Sequence, residues 1–244
     1  QNDLNNVLTA LEKKGMKALI LDLRYNSGGY LNSASEVADL FVSRGVIVKS
    51  NPRNGFATYE MAHEKGTHPD YPMAILINAG SASASEIVAG ALQDPRFNRA
   101  LLVGTRSYGK GSVQVVTPYT GGGSQLKYTI AYYHLPSDQQ VKNRYQMEKL
   151  GRKDWGIAPD VEVEMVSHEL RRMLDIQRDN DVLVQVQNGS HPERRHELQD
   201  TLLSDPQLSA AIFVIQAKML QRGMAIQPMD PATWHRPIDP NEIY

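Results

Sequence analysis

The chain has 244 residues, 41% hydrophobic and 22% charged, with a formal net charge of −1 and no cysteine. That length suffices for one large domain or a domain plus an appendage, and the charge gives no electrostatic case for nucleic acid or an anionic membrane surface. Disulfides, thiolate metal sites and a cysteine nucleophile are excluded, and no apolar run approaches the ~20 residues of a membrane span. The chain opens Gln1-Asn2-Asp3 without an initiator Met or a basic-then-apolar leader, so it is expected to be an internal fragment of something longer. Residues 3–14 predict a helix with Asp3 as N-cap, Leu4, Val7, Leu8 and Leu11 on one face, and Gly15 closing it. Ala18 to Leu23 is a nearly continuous apolar run, the mark of a strand covered on both faces. Tyr25-Asn26-Ser27-Gly28-Gly29 makes a flexible turn, followed by a helix from Ser33 or Ser35 to Val42, with Val37, Leu40 and Phe41 inward, and a short strand at Val46 to Lys49. Residues 50–72, with His63 and His68, form a polar surface excursion read as a hairpin with a loop.

The central unit follows. Met73-Ala74-Ile75-Leu76-Ile77 is a short buried strand that stops at Asn78-Ala79-Gly80, passes through Ser81-Ala82-Ser83-Ala84-Ser85-Glu86 and enters a helix from Ile87 to Gln93. A second apolar run, Ala100 to Gly104, leads to Ser107-Tyr108-Gly109-Lys110-Gly111-Ser112-Val113-Gln114. Strands alternating with helices argue for an α/β class with largely parallel pairing. Val113 to Pro118 and Gln125 to His134 then read as paired β segments of a half-exposed sheet, in which Tyr128, Ile130 and Tyr132 alternate with Thr129, Ala131 and Tyr133. Residues 136–156 read as a polar loop, and Val161 to Glu164 as a closing edge strand. From Ser167 the pattern turns helical, over residues 170–186 and again from Ser209 to Arg222, with Asp205-Pro206 as a break and an extended, proline-rich end from Gln227 to Tyr244. The expected organisation is a core over residues 1–166 and a helical extension over 167–244.

The chemistry converges on the strand–turn–helix unit. A serine at the start of a helix can attack a carbonyl close to free backbone donors, which favour the negative charge that develops. No histidine stands nearby, and a lysine returning on the next strand is the substitute base. Ser81, Ser83 and Ser85 compete as nucleophile; Ser81 lies far out on the turn and Ser85 is suited to capping the helix. Lys110 needs a lowered pKa to act as a base, which burial would provide. Gly109 and Gly111 give its backbone the freedom to turn inward. Gln114, four residues on, falls on the same strand face as Lys110 and can orient it. His63 and His134 are rival bases, with Asp22 or Asp94 as orienter, and no His, Asp or Glu spacing indicates a metal site.

Four segments in order resemble the S41 family of serine peptidases, the carboxy-terminal processing (tail-specific) proteases. They are Leu21-Asp22-Leu23-Arg24-Tyr25-Asn26-Ser27-Gly28-Gly29, Ser81 to Ile87, Gly109-Lys110-Gly111-Ser112-Val113-Gln114 and Gly156-Ile157-Ala158-Pro159-Asp160. The resemblance covers roughly residues 4–166. It implies a ClpP/crotonase-like core with a mixed β-sheet and helices, and a Ser–Lys hydrolase needing no cofactor. Family members usually carry a PDZ domain, and nothing like one is visible here. The family pattern places the nucleophile three residues before the glutamate, at Ser83, with Lys110 as its base and Gln114 assisting. It also implies an oxyanion hole from Ala84 and either Gly28 or Gly29, with Glu86, Asp94 and Ser107 in support. The implied substrates are unstructured C-terminal ends of polypeptides outside the cytoplasm. Two other readings compete: an assembly or peptide-binding module of a larger protease that forms homo-oligomers through residues 167–244, and a crotonase-like acyl-CoA enzyme without a nucleophile.

Overall fold

A computed structural model describes residues 2–119, 121–181 and 196–226. The chain divides into two compact units, Gln1–Glu162 and Val163–Tyr244.

The first unit holds α1 (Asn2–Lys13), β1 (Leu19–Asp22), α2 (Leu31–Asp39), β2 (Gly45–Pro52), β3 (Thr58–Ala62), β4 (Met73–Ile77), α3 (Ala84–Gln93), β5 (Leu101–Gly104), β6 (Ser112–Pro118), β7 (Gln125–His134), α4 (Arg144–Lys149) and β8 (Val161–Glu162). These strands make two four-stranded sheets. One is parallel, in the order β1-β4-β5-β8. The other is antiparallel, in the order β3-β2-β7-β6. The largely parallel pairing expected from the sequence therefore describes only half of the strands. The excursion after Val46 is a β2–β3 hairpin, and β2 also pairs with β7.

β4 explains the core. All five of its residues are buried, because strands flank it on both edges and side chains cover both faces. Ile75 and Ile77 join Ile47, Leu92, Leu102 and Tyr133 in one continuous cluster. Burial at this level makes each large aliphatic side chain here worth roughly 1.5–3 kcal/mol relative to exposure. β7 is less uniform: Ala131 and Tyr133 point inward, while Tyr128, Ile130 and Tyr132 are exposed. Register between β6 and β7 slips between Val113 and Gln114, a β-bulge that ends simple alternation.

Several boundaries differ from the sequence reading. α2 starts at Leu31 and stops at Asp39, so Leu40 and Phe41 are buried beyond its end. α4 lies inside the supposed polar loop; all of its residues are exposed or half-buried, so no apolar period marks it, and Asn143 caps it by accepting from the Gln146 N–H. The closing edge strand is two residues long and pairs parallel with β5.

The second unit holds α5 (Ser167–Asp181), α6 (Leu198–Ser204) and α7 (Pro206–Gln221). Asp205 and Pro206 do not merely break the chain. The Asp205 carboxylate accepts the Leu208 N–H at 3.0 Å and Pro206 is the first helical residue, so the pair starts α7. The expected helix beyond residue 181 and the extended stretch from Gln227 to Tyr244 lie outside the described residues. No described helix is long and apolar enough to cross a membrane. Truncating Leu76, fully buried at the centre of the parallel sheet, is expected to remove about 2–5 kcal/mol of stability. Urea denaturation of Leu76→Ala reads this directly, and a loss under 1 kcal/mol would contradict the packing described.

Candidate active site

The turns that follow β1 and β4 are laced together. The Ser81 hydroxyl donates to the Leu23 carbonyl at 2.7 Å, and the Asn78 side-chain oxygen accepts the Tyr25 N–H at 3.0 Å and the Gly80 N–H at 2.9 Å. The Ala82 N–H donates to the Asn26 carbonyl at 3.1 Å. Loops at the carboxyl ends of parallel strands are where α/β sheets place their ligands, and these bonds hold two such loops in register.

Ser83 sits at the tip, as the N-cap of α3, with φ 57° and ψ −116°. A non-glycine residue in this region costs on the order of 1–3 kcal/mol and persists only where its surroundings enforce it. A serine on a strained strand-to-helix turn is the device that exposes a nucleophile's hydroxyl. Gly28 is packed against the turn so closely that a Cβ there would lie 2.5 Å from the Ala82 oxygen and 2.6 Å from the Ala84 nitrogen, and its φ is +86°. Only glycine satisfies both conditions.

A cleft of about 710 Å³ opens beside the turn. Ser83, Ala84, Gly29, Lys110, Gln114 and Tyr133 all line it. Ser81 and Ser85 do not: Ser81 is fully buried and hydrogen-bonded, and Ser85 lies inside α3 rather than capping it. Lys110 is half-buried, less enclosed than the sequence argument asked for. It precedes β6 instead of lying on it, so the same-face argument for Lys110 and Gln114 rested on a strand that starts later. The two side chains share the cleft nonetheless. Among the described residues no hydrogen bond joins the Lys110 amine to the Ser83 hydroxyl, though both residues line the cleft.

Glu86 is the hub beneath the cleft. It is completely buried, and its carboxylate accepts four hydrogen bonds: from the Ser83 N–H (2.8 Å), the Lys110 N–H (2.8 Å), the Gly109 N–H (2.7 Å) and the Ser107 hydroxyl (2.5 Å). Ser107 in turn accepts the Ile157 N–H at 2.7 Å. The Gly156–Asp160 segment is thereby explained as a clamp. Ile157 also accepts from the Ser107 N–H, and Asp160 exchanges bonds with Leu102 of β5 through its main chain and its carboxylate. Asp94 belongs elsewhere. It ends α3, accepting the Arg96 and Ser137 N–H groups at the opposite end of that helix from Ser83.

The oxyanion donors can be sorted by occupancy. The Gly28 N–H donates to the Asn26 side chain at 2.9 Å, whereas Gly29 lines the cleft. The rival histidines do not approach it. His63 lies 3.0 Å from Asp39 on the surface, His134 bonds the Asp138 carbonyl, and Asp22 is paired with Arg24. No group of three or more His, Cys, Asp or Glu among the described residues could hold a metal ion. Sequence reasoning missed Tyr133, a buried residue of the cleft whose hydroxyl donates to the Lys110 carbonyl. Its inward alternation with Ala131 was the available signal.

Comparison with known proteins places this arrangement. The family model for peptidase family S41 matches residues 1–163. The chain belongs to peptidase family S41. A carboxy-terminal-processing protease of Bartonella bacilliformis is 38% identical over 177 residues, which are 72% of this chain and 38% of that protein. The chloroplastic carboxyl-terminal-processing peptidase 3 of Arabidopsis thaliana is 37% identical over 172 residues, 66% of this chain and 28% of that one. The chain thus spans well under half of either S41 relative. Among solved structures, a photosystem II D1 C-terminal processing protease superposes with a TM-score of 0.56 at 32% identity, over 66% of this chain and 38% of that one. Mature CPAF, at 15% identity and a TM-score of 0.51 over 70% of this chain and 43% of that one, shares the fold.

Glu86→Gln turns an amide N–H₂ toward two of the four donors and leaves buried groups unsatisfied. It is expected to lower stability by about 2–5 kcal/mol, measured by urea denaturation. A variant as stable as the parent would remove Glu86 as the organising group.

Proposed function

We propose that the first unit is the hydrolytic centre of a serine endopeptidase that processes polypeptides at or near their C-termini, with Ser83 as nucleophile and Lys110 as general base. The observation that carries this is a single cleft shared by a strained helix-capping serine, a lysine, a glutamine and a glycine of the adjoining turn. The Lys110 amine takes the Ser83 proton as the hydroxyl oxygen bonds to the peptide carbonyl carbon. The oxyanion formed is held by the N–H groups of Ala84 and Gly29; Gly28 contributes the close packing that sets the turn. The C–N bond breaks as Lys110 returns its proton to the departing amine. Water, deprotonated by the same amine, then opens the ester and restores Ser83. Gln114 orients the lysine. No step calls for a cofactor.

β6 supports an extended substrate, because it is the edge strand of its sheet and begins two residues after Lys110. An unstructured polypeptide end can add to such an edge through main-chain bonds. Action outside the cytoplasm belongs to the same proposal and rests on the family likeness.

Wild-type protein is expected to cleave an unfolded polypeptide. Ser83→Ala and Lys110→Ala should each lower the rate by about 10³-fold or more. Cleavage retained in either variant rejects the assignment.

Self-association through the second unit is a further part of the proposal. Phe213 and Leu220 stand seven residues apart on one face of α7 and are exposed to 70% and 63%, with Leu203 of α6 exposed to 70%, and an apolar face left open to solvent is the kind of surface a protein partner covers. Sedimentation should give a mass above the monomer that falls with Phe213→Asp. A monomeric parent would end this part.

A further inference from the structure

Lys110 lies between two glycines, so neither sequence neighbour offers a side chain to brace it. Both glycines are needed for room or conformation: Gly109 has φ +86°, and a Cβ on Gly111 would stand 1.9 Å from the Val141 carbonyl oxygen. What holds the segment is hydrogen bonding. From α3, Glu86 takes the Lys110 and Gly109 N–H groups. From β7, Tyr133 takes the carbonyls of the next two peptides along the segment. Its hydroxyl donates to the Lys110 carbonyl, and its N–H donates to the Gly111 carbonyl at 3.0 Å. The Ser83 carbonyl oxygen stands 3.4 Å from the same hydroxyl. Two fully buried side chains, one from each side, therefore grip the main chain of both residues that the proposed reaction depends on.

We propose that Tyr133 is a positioning residue for catalysis: its hydroxyl straps Lys110 to the antiparallel sheet and sets the approach of the amine to Ser83. The inference rests on the Ser83–Lys110 reading above. Three observations carry it beyond a core contact. The hydroxyl reaches a carbonyl of the reacting lysine rather than a distant loop. The same tyrosine bonds that segment twice, so it restrains direction as well as distance. The ring is packed in the hydrophobic core, and its strand is held in turn by pairing with β2, where Tyr133 stands opposite Ser50. Burial, then the charge of Glu86, holds the hydroxyl's pKa well above its ordinary value. It therefore stays protonated, a donor, across the range in which a peptidase works.

Tyr133→Phe removes one oxygen and keeps the ring. With concentration set by titration of the reactive serine, kcat on an unfolded polypeptide should fall about 10- to 100-fold, the penalty of a base misplaced by about an ångström. KM should stay within about twofold, since the substrate's edge strand is untouched. Placing 4-aminophenylalanine at position 133 restores a donor and should recover most of kcat. A Phe variant with the parent's kcat, or an amino analogue as slow as Phe, overturns the proposal. Should the Phe variant fail to fold, 3,5-difluorotyrosine at this position serves in its place. Its more acidic hydroxyl loses its proton at lower pH, so kcat should acquire an alkaline fall that the parent, whose hydroxyl stays protonated, lacks; a pH profile identical to the parent's also overturns the proposal. Cleavage retained in Ser83→Ala would instead remove the underlying reading. Parental kcat in Tyr133→Phe beside an inactive Ser83→Ala removes only the role of Tyr133.

Discussion

A carboxylate with no access to water organises the site. Removing a charge from solvent costs several kcal/mol unless hydrogen bonds replace the lost hydration. Glu86 meets that condition with four donors, two to each oxygen. Charge-assisted bonds of this kind are about twice as strong as neutral ones. The donors belong to two separate pieces of chain: the serine turn, and the loop from Ser107 to Lys110 that joins β5 to β6. The electrostatic demand of one side chain therefore fixes the position of one against the other, and it also enforces the strained backbone at Ser83, whose N–H it holds.

The parallel sheet supplies what that network cannot. β1 and β4 end side by side, and their turns are joined through Asn78, Ser81 and Asn26. Gly28 can then lie against the Ser83–Ala84 peptide without room for a Cβ. The antiparallel sheet brings β6 and β7 across the cleft. The site thus stands at a junction of two sheets of different type, and neither alone carries both Ser83 and Lys110.

The local parts of this were legible in the sequence. A five-residue apolar run ending at Asn78-Ala79-Gly80, followed by small residues and Glu86, carries strand, turn and helix start in contiguous letters. Lys110 between glycines is equally local. The convergence was not legible, because the bonds to Glu86 from Ser107, Gly109 and Lys110 cross 21 to 24 residues of chain and obey no period. From its sequence position alone, Glu86 reads as a residue complementing the helix dipole. Asp94 looks equally apt in the sequence, yet it closes the far end of α3. α4 and α6 escaped because helices of six and seven residues offer too few turns for an apolar stripe to show. The division into two sheets escaped because apolar runs reveal burial and not the direction of pairing.

The division of labour between Glu86 and Tyr133 also accounts for how the site can be rigid around flexible residues. Glycines at 109 and 111 are demanded by close approach to the chain near Val141 and Lys142, yet they deprive Lys110 of steric support. A buried acceptor on one side and a buried donor on the other restore order by complementary means, one gripping N–H groups and the other carbonyls. Because each is anchored in a different layer, Glu86 on α3 and Tyr133 on β7, a shift of either layer changes the distance between Lys110 and Ser83. Under the proposed reaction, a substrate strand added to the free edge of β6 would load the hairpin partner β7 through β6, and binding would be linked to the alignment of Lys110 through Tyr133.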